Sequence, residues 1–203
     1  MTSYFESMMP SPKSELSYND PFQLLVATIL SAQCTDKRVN LVTPALFSTY
    51  PTPHSMSSAS ESDILEYIKS VSYPNSKARH LLEMSKMLVS EYEGEVPSTT
   101  SELVRLPGVG RKTANVVQAV IWQKPTFAVD THIFRVSHRL GLVGPSATTP
   151  LAVEKILTSN FSASKIPDAH HWLLLHGRYV CKSRNPKCEE CGLKEICKSY
   201  GKL

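Results

Sequence analysis

The sequence of 203 residues lacks the long apolar runs that mark membrane proteins and the leader segments that mark exported ones. No apolar run approaches the ~18 residues of a membrane-spanning helix, so no membrane partner is expected. Residues 1–15 contain neither a basic segment followed by an apolar one nor an Arg-rich transit pattern, and we therefore expect a cytoplasmic protein. The chain also contains no internal repeat and no low-complexity tract.

Three common catalytic signatures are missing as well. The absence of G-x-x-x-x-G-K-[ST] excludes a Walker-type phosphate loop, and the absence of H-E-x-x-H excludes the corresponding zinc proteases. There is no G-x-S-x-G, which excludes the nucleophile elbow of α/β-hydrolases. The formal net charge of +4 permits an anionic partner without requiring one, so the position of the charge matters more than its sum.

Apolar residues recur at helical spacing along most of the chain, and no alternating strand pattern extends beyond a few residues. This pattern predicts an all-α fold. Asp20 and Pro21 are typical of an N-cap and a first helical residue, and Thr35 or Asp36 is expected to cap the following helix. The segment 51–60 is rich in serine, proline and threonine and is expected to be a loop.

The most distinctive segment is LPGVGRKTANVV at 106–117. Gly108 and Gly110 flank Val109 in a predicted tight turn, where glycine suits positive φ and close approach to another molecule. The helix that is predicted to begin at Arg111 presents free N–H groups and the positive end of its dipole, which suit a phosphate oxygen. The pattern resembles the helix-hairpin-helix that grips a DNA strand by its backbone; the alternative is a plain glycine turn between helices.

Lys112 and Asp130 are the two residues for which the sequence suggests catalysis. Lys112 borders a predicted apolar face beside Arg111, so partial desolvation would favour the neutral, nucleophilic amine that a Schiff base requires. The alternative is a phosphate-binding or simply exposed lysine. Asp130 is predicted to cap the helix 131–140, and its carboxylate also suits stabilisation of an oxocarbenium-like charge or movement of a proton.

Four of the five cysteines lie in the last 23 residues, with the spacing C-x6-C-x2-C-x5-C. In a cytosolic chain this clustering favours a metal site over disulfides. Four thiolates bind Zn²⁺ or an iron–sulfur cluster, and the spacing alone leaves both open. The loop is rich in lysine and arginine, which suits contact with phosphate; the alternative is a solvated tail. The four candidate ligands are Cys181, Cys188, Cys191 and Cys197.

Taken together, these motifs resemble the bacterial endonuclease III family, a DNA glycosylase family of the helix-hairpin-helix superfamily that carries a [4Fe–4S] cluster. The resemblance extends over nearly the whole chain, from about residue 19 to residue 197, and rests on the combination of motifs. The segments that carry it are 106–117, 129–136, 176–179, 30–36, 75–78 and the four clustered cysteines.

The resemblance implies a two-lobed helical fold. It implies a six-helix barrel over residues 13–124 and a discontinuous cluster lobe formed by 1–12 and 125–203. The implied activity is base excision of oxidised pyrimidines of the thymine glycol type, by a bifunctional DNA glycosylase and AP lyase. The implied partner is double-stranded DNA with a damaged base or an abasic site, bound by a monomer at the bacterial nucleoid.

The resemblance also implies roles for particular residues. Lys112 matches the nucleophile of the family, Asp130 its catalytic carboxylate, and Gln33 the residue that fills the gap left by the extruded base. The four clustered cysteines match the cluster ligands, which decides the metal in favour of iron–sulfur. Tyr73 stands where the family usually has a leucine wedge, and its ring is expected to stack on bases instead.

Two alternative functions remain open from the sequence. An adenine-mismatch glycosylase of the same superfamily shares the hairpin, the aspartate and the cluster, but usually has a small hydroxyl residue where Lys112 stands. A non-catalytic iron–sulfur protein that binds DNA would need neither Lys112 nor Asp130.

Overall fold

The computed structural model describes residues 1–202, and every regular element within them is helical, as the apolar spacing predicts. None of the described helices is both long enough and apolar enough to cross a membrane. Short 3₁₀ turns lie at Ala163–Lys165 and Lys194–Ile196. The α-helices are α1 (Thr2–Met8), α2 (Pro21–Ser31), α3 (Asp36–Thr49), α4 (Pro53–Ser57), α5 (Glu61–Ile68), α6 (Pro74–Glu91), α7 (Thr100–Leu103), α8 (Arg111–Trp122), α9 (Thr131–Leu140), α10 (Pro150–Asn160) and α11 (Ile166–Tyr179).

The chain divides into two compact units. Ser14–Trp122 forms the central unit, which contains α2 to α8. Met1–Lys13 and the residues from Gln123 onward form the terminal unit, which contains α1 and α9 to α11. These boundaries differ by one and two residues from the limits 13 and 124 that the resemblance implies.

Helix α2 lies at the centre of the central unit. The Asp20 carboxylate accepts a hydrogen bond from the Gln23 amide at 2.8 Å, and Pro21 takes the first helical position, as predicted. Residues 22–30 are all buried, and α2 packs against α3, α6 and α8. The Thr35 hydroxyl accepts from the Arg38 amide and caps α3, which decides between the two predicted caps.

The prediction of a loop over 51–60 was wrong, because this segment contains α4. The Thr52 hydroxyl accepts from the Ser55 amide, and the Ser55 hydroxyl accepts from the Thr52 amide. Pro53 and Met56 are buried, so this one-turn helix closes over the core of the central unit. Composition alone could not predict this helix, because serine, threonine and proline are favoured at helix starts as well as in loops.

The terminal unit is formed by two separate segments of the chain, and contacts between these segments hold it together. The Phe5 ring of α1 is fully buried and stacks on Trp172 of α11, with ring centroids 5.7 Å apart. The Trp172 indole N–H donates to the Met9 carbonyl at 2.9 Å, and Lys165 pairs with Glu6 at 2.6 Å. The first residues of the chain are therefore part of this unit's core.

Candidate functional site

The predicted turn between α7 and α8 is present and is anchored in the core of the central unit. Leu106 and Val109 are buried, and the Val109 amide donates to the Leu106 carbonyl at 3.0 Å. Gly108 lies between them, exposed, with φ +79°. An added Cβ at Gly108 would also lie only 3.0 Å from the Cβ of His80 on α6. Positive φ and close packing both favour glycine there.

Gly110 differs from this prediction, because its φ is not positive. A Cβ added at Gly110 would have no atom within 4 Å, so the fold of the chain does not require glycine at this position. The Gly110 carbonyl accepts from the Ala114 amide at 3.0 Å, which confirms that α8 begins at Arg111. The N–H groups of the first turn of a helix have no acceptor within that helix.

The desolvation expected for Lys112 is not found. Its side chain is exposed at the second position of α8, whereas Ala114 and Val117 are the residues of this helix that enter the core. The apolar face predicted for α8 is correct, but the long lysine stem extends away from it towards solvent. An exposed lysine beside a backbone turn can reach an external ligand.

Gln33 and Tyr73 lie in two neighbouring turns of the central unit. Gln33 follows α2 and has φ 54°, while Tyr73 precedes α6 and has φ 55° and ψ 51°. Both side chains are exposed, Tyr73 to 64%. A left-handed conformation costs an L-residue roughly 1–2 kcal/mol, and such strain is often concentrated at functional sites. The Ser72 hydroxyl donates to the Gln33 carbonyl at 2.7 Å and joins the two turns.

Lys77 of α6 is a residue for which no role was predicted. Its side chain is only 5% exposed, and its ammonium donates to the carbonyls of Leu30 at 2.8 Å and Ala32 at 2.7 Å. Burial lowers the pKa of Lys77, and the nearby Cys34 opposes this shift. The sequence contains a signal for this residue, because Lys77 continues the apolar stripe of Leu81 and Met84 at helical spacing.

Asp130 is the N-cap of α9, as predicted. One oxygen of its carboxylate accepts from the amides of His132 and Ile133, both at 2.9 Å. Asp130 is half-buried, and the second carboxylate oxygen is not used by these two bonds. Helix α9 covers the predicted residues 131–140, and Gly141 ends it with φ +76°.

Two arginines of α9 hold the start of the cysteine loop, by which we mean residues 181–197. Arg135 donates to the carbonyls of Cys181 at 3.1 Å and Gly177 at 2.7 Å. Arg139 donates to the Lys182 carbonyl at 2.7 Å and lies 3.6 Å from the sulfur of Cys181. No individual role was predicted for these arginines, although their four-residue spacing places both on one face of α9.

The four clustered cysteines line one cavity of the terminal unit. Three of them, Cys181, Cys191 and Cys197, also pack against its hydrophobic core. Four thiols that line one cavity are the donor set of an iron–sulfur cluster, so the residues present fit this cofactor.

The environment of Cys191 shows why this cavity favours a positively charged metal group. Burial raises the pKa of its thiol, and the neighbouring cysteine sulfurs raise it further. His176 lies 3.7 Å from this sulfur, and burial lowers the pKa of that imidazole to about 4. The neutral imidazole adds no charge to that of Arg139, whose guanidinium lies beside the Cys181 sulfur, so one cation faces four cysteines and bound iron would supply the further positive charge that four thiolates need.

Comparison with known protein families identifies the chain. Residues 26–163 match the HhH-GPD superfamily of base excision DNA repair proteins. The chain belongs to this superfamily. Residues 181–197 match the iron-sulfur binding domain of endonuclease III, and this match begins and ends at the first and last clustered cysteine. The cofactor of this HhH-GPD protein is accordingly a [4Fe–4S] cluster and not zinc.

Curated relatives agree with this assignment along nearly the full chain. The HhH-GPD protein is 48% identical to Endonuclease III of Rickettsia conorii, over 98% of this chain and 94% of the relative. It is 42% identical to Endonuclease III of Escherichia coli K12, over 96% of this chain and 91% of the relative.

Solved structures also match nearly the full length of this chain. A trapped endonuclease III–DNA covalent intermediate has a TM-score of 0.90 at 42% identity, covering 97% of this chain and 92% of that one. A thermostable thymine-DNA glycosylase has a TM-score of 0.86 at 25% identity, covering 98% and 93%. The all-α fold and the resemblance to endonuclease III are both confirmed.

Proposed function

We propose that this protein is a bifunctional DNA glycosylase and AP lyase of base excision repair, which removes oxidised pyrimidines of the thymine glycol type from double-stranded DNA. The glycosylase and lyase activity follows from its close similarity to the endonuclease III family over nearly the full chain. The observation that carries the mechanism is an exposed lysine in the first turn of α8, directly after an exposed glycine turn. We infer that it acts as a monomer in the bacterial cytoplasm, at the nucleoid.

Binding begins with the DNA backbone. The exposed residues Gly108 and Gly110 and the first N–H groups of α8 offer donors to phosphate oxygens, and Arg111 adds positive charge; Val109 between the glycines is buried and anchors the turn. A damaged pyrimidine cannot be attacked inside the duplex, so it has to be flipped out at a cost of a few kcal/mol. Gln33 is proposed to occupy the gap that it leaves, and Tyr73 to stack on the exposed bases.

The chemistry proceeds through the amine of Lys112. In its neutral form the amine attacks C1′ of the sugar, the bond between C1′ and the base breaks, and the base leaves with a proton. Loss of the second amine proton and opening of the sugar ring give a Schiff base between Nζ and C1′. Removal of a C2′ proton then expels the 3′ phosphate by β-elimination, so the strand is cut 3′ to the abasic site, and water releases Lys112.

Asp130 is proposed to stabilise the positive charge that develops on the sugar and to assist proton movement. Its structural role as the N-cap of α9 supports this assignment. Hydrogen bonds to two amides hold one oxygen in place, while the other oxygen can face a substrate.

The [4Fe–4S] cluster would be held by Cys181, Cys188, Cys191 and Cys197. When bound, it would supply positive charge and cross-link the loop between these cysteines. The proposed reaction requires no redox step from it. Arg135 and Arg139 support the same loop from α9. Lys182 and Arg184, next to Cys181, are exposed and would be presented to DNA phosphates.

The first prediction concerns the nucleophile and uses borohydride trapping on a duplex that contains thymine glycol. Wild type should give a covalent protein–DNA adduct, whereas Lys112→Ala should give none, because reduction traps only a Schiff base. Lys112→Arg is the matched control: it keeps the positive charge for phosphate but cannot form the imine. It should bind an uncleavable abasic-site analogue with nearly wild-type affinity and still give no adduct.

Other outcomes would point elsewhere. An adduct formed by Lys112→Ala would move the nucleophile to another residue. Release of free base without any wild-type adduct would indicate a monofunctional glycosylase, and the absence of both would leave a DNA-binding protein or a different lesion.

A further inference from the structure

The turns that carry Gln33 and Tyr73 are joined by hydrogen bonds that the proposed reaction does not use. Segment 72–77 donates three of them to segment 30–33: Ser72 Oγ to the carbonyl of Gln33, and Lys77 Nζ to the carbonyls of Leu30 and Ala32. The three donor–acceptor distances lie between 2.7 and 2.8 Å. We call Ser72 and Lys77, with these three bonds, the brace.

The brace controls the backbone of Gln33 from both sides. The φ and ψ angles of a residue are set by the two peptide planes that flank it, and here these planes carry the carbonyls of Ala32 and Gln33. Lys77 holds the first carbonyl and Ser72 holds the second. An exposed glutamine in a left-handed conformation persists only if its surroundings hold it there, and the brace does so.

The same residues also determine where Tyr73 lies. Ser72 directly precedes Tyr73, and the Lys77 amide donates to the Tyr73 carbonyl at 3.2 Å. The ammonium of Lys77 is buried against the last carbonyls of α2, where the negative end of the helix dipole favours a cation. Lys77 therefore contacts the Gln33 turn with its side chain and the Tyr73 turn with its backbone.

We propose that Lys77, assisted by Ser72, is a positioning residue that sets Gln33 and Tyr73 as one rigid pair, so that both enter the duplex together when the damaged base is extruded. This inference rests on the proposed function. It assigns to Lys77 no contact with substrate. Its effect should be confined to the step in which a duplex is opened, because single-stranded DNA presents no stacked partner to displace.

The test compares two substrates in Lys77→Met, a substitution that keeps the buried apolar stem and removes the ammonium. On thymine glycol in a duplex, the rate of base release should fall by at least about tenfold, since flipping costs a few kcal/mol that the pair no longer offsets. On a single-stranded abasic site, borohydride trapping through Lys112 should stay within about twofold of wild type, because no base has to be flipped. Lys86→Met is the matched control: it is the same substitution on an exposed lysine of α6 and should leave both rates unchanged.

A double-mutant cycle with Gln33→Ala separates positioning from general structure. If Lys77 acts through Gln33, adding Lys77→Met to Gln33→Ala should lower the duplex rate much less than it does in wild type. Ser72→Ala removes a single exposed hydrogen bond and should give a smaller loss with the same duplex preference. It therefore decides the question even if Lys77→Met folds poorly.

Two results would overturn the brace while leaving the proposed function intact: a wild-type duplex rate in Lys77→Met and Ser72→Ala, or an equal loss on both substrates. Failure of wild type to form an adduct on either substrate would instead remove the proposed function, and the role of the brace with it.

Discussion

At the scale of single residues, three of the candidate DNA contacts lie where the backbone departs from its usual conformation. Gln33, Tyr73 and Gly108 all have positive φ and are all exposed. Buried neighbours hold each of them, among them Lys77 for the first two and Val109 for the third. Exposed residues that are strained and firmly supported are typical of binding surfaces, since a preorganised contact loses less entropy on binding.

The second prediction distinguishes the two glycines of the hairpin. Gly110→Ala should leave thermal stability unchanged, because its φ is not positive and its Cβ would meet no atom within 4 Å. If phosphate approaches this backbone, the methyl group should weaken binding to an abasic-site duplex roughly tenfold, as a hydrogen bond to a charged group is worth about 1.5–3 kcal/mol. The salt dependence of binding should not change, because no charge is removed.

Gly108→Ala serves as the comparison. It forces an alanine into φ +79° and against His80, so it should lower both affinity and stability, the latter by roughly 1–2 kcal/mol. Unchanged affinity in Gly110→Ala would mean that this part of the hairpin does not touch DNA.

At the scale of elements, two helices organise the candidate residues. Helix α6 begins after Tyr73, carries Lys77 in its first turns and contacts Gly108 through His80. Helix α9 begins after Asp130 and holds the cysteine loop through Arg135 and Arg139. In each case one helix supports candidate site residues that are far apart in sequence.

The third prediction separates the two roles of Asp130. Asn caps helices about as well as Asp, so Asp130→Asn should keep α9 and the melting temperature, while base release falls about 10²–10⁴-fold with the loss of the carboxylate. Asp130→Ala should lose the cap as well and cost a further 0.5–2 kcal/mol or so of stability. Full glycosylase activity in Asp130→Asn, measured as release of thymine glycol, would show that this residue acts only as a helix cap.

At the scale of the whole molecule, two segments that are far apart in the sequence form the terminal unit together. Phe5 from the start of the chain and Trp172 from α11 share one core, and three clustered cysteines pack against it. The cluster would therefore lie against the hydrophobic core of this unit, so we expect it to contribute to the stability of the unit.

The fourth prediction follows from that arrangement. Cys191→Ser should give protein without the brown colour of the cluster, with low iron content, poor solubility and a lower melting temperature, because the serine oxygen is a weaker iron ligand and the other thiolates repel one another. Cys34→Ser is the control: Cys34 belongs to the central unit, so colour and iron should be retained. An iron-free Cys191→Ser protein with full activity and stability would contradict a structural role for the cluster.

Helices and their ends could be predicted from local chemistry. The caps at Asp20, Thr35 and Asp130 and the stop at Gly141 depend on side chains within a few residues, so the sequence alone determines them. The cysteine spacing indicated a metal in the same way, although only the resemblance to a family chose iron–sulfur over zinc. The resemblance also chose between the two interpretations of Lys112, and it supplied the roles of Gln33 and Tyr73, which spacing by itself does not predict.

Tertiary structure decided what depends on residues distant in the chain. In the sequence, Lys77 is a charged residue at a position of an apolar stripe, with no visible partner. In the structure, the end of α2, more than forty residues earlier, provides two carbonyls for its ammonium. Gly108 requires glycine partly because His80 packs against it, and the exposure of Lys112 depends on which face of α8 the core covers. Local sequence sets the helices through short-range hydrogen bonds, but their packing determines which polar groups are buried, paired or left to meet a substrate.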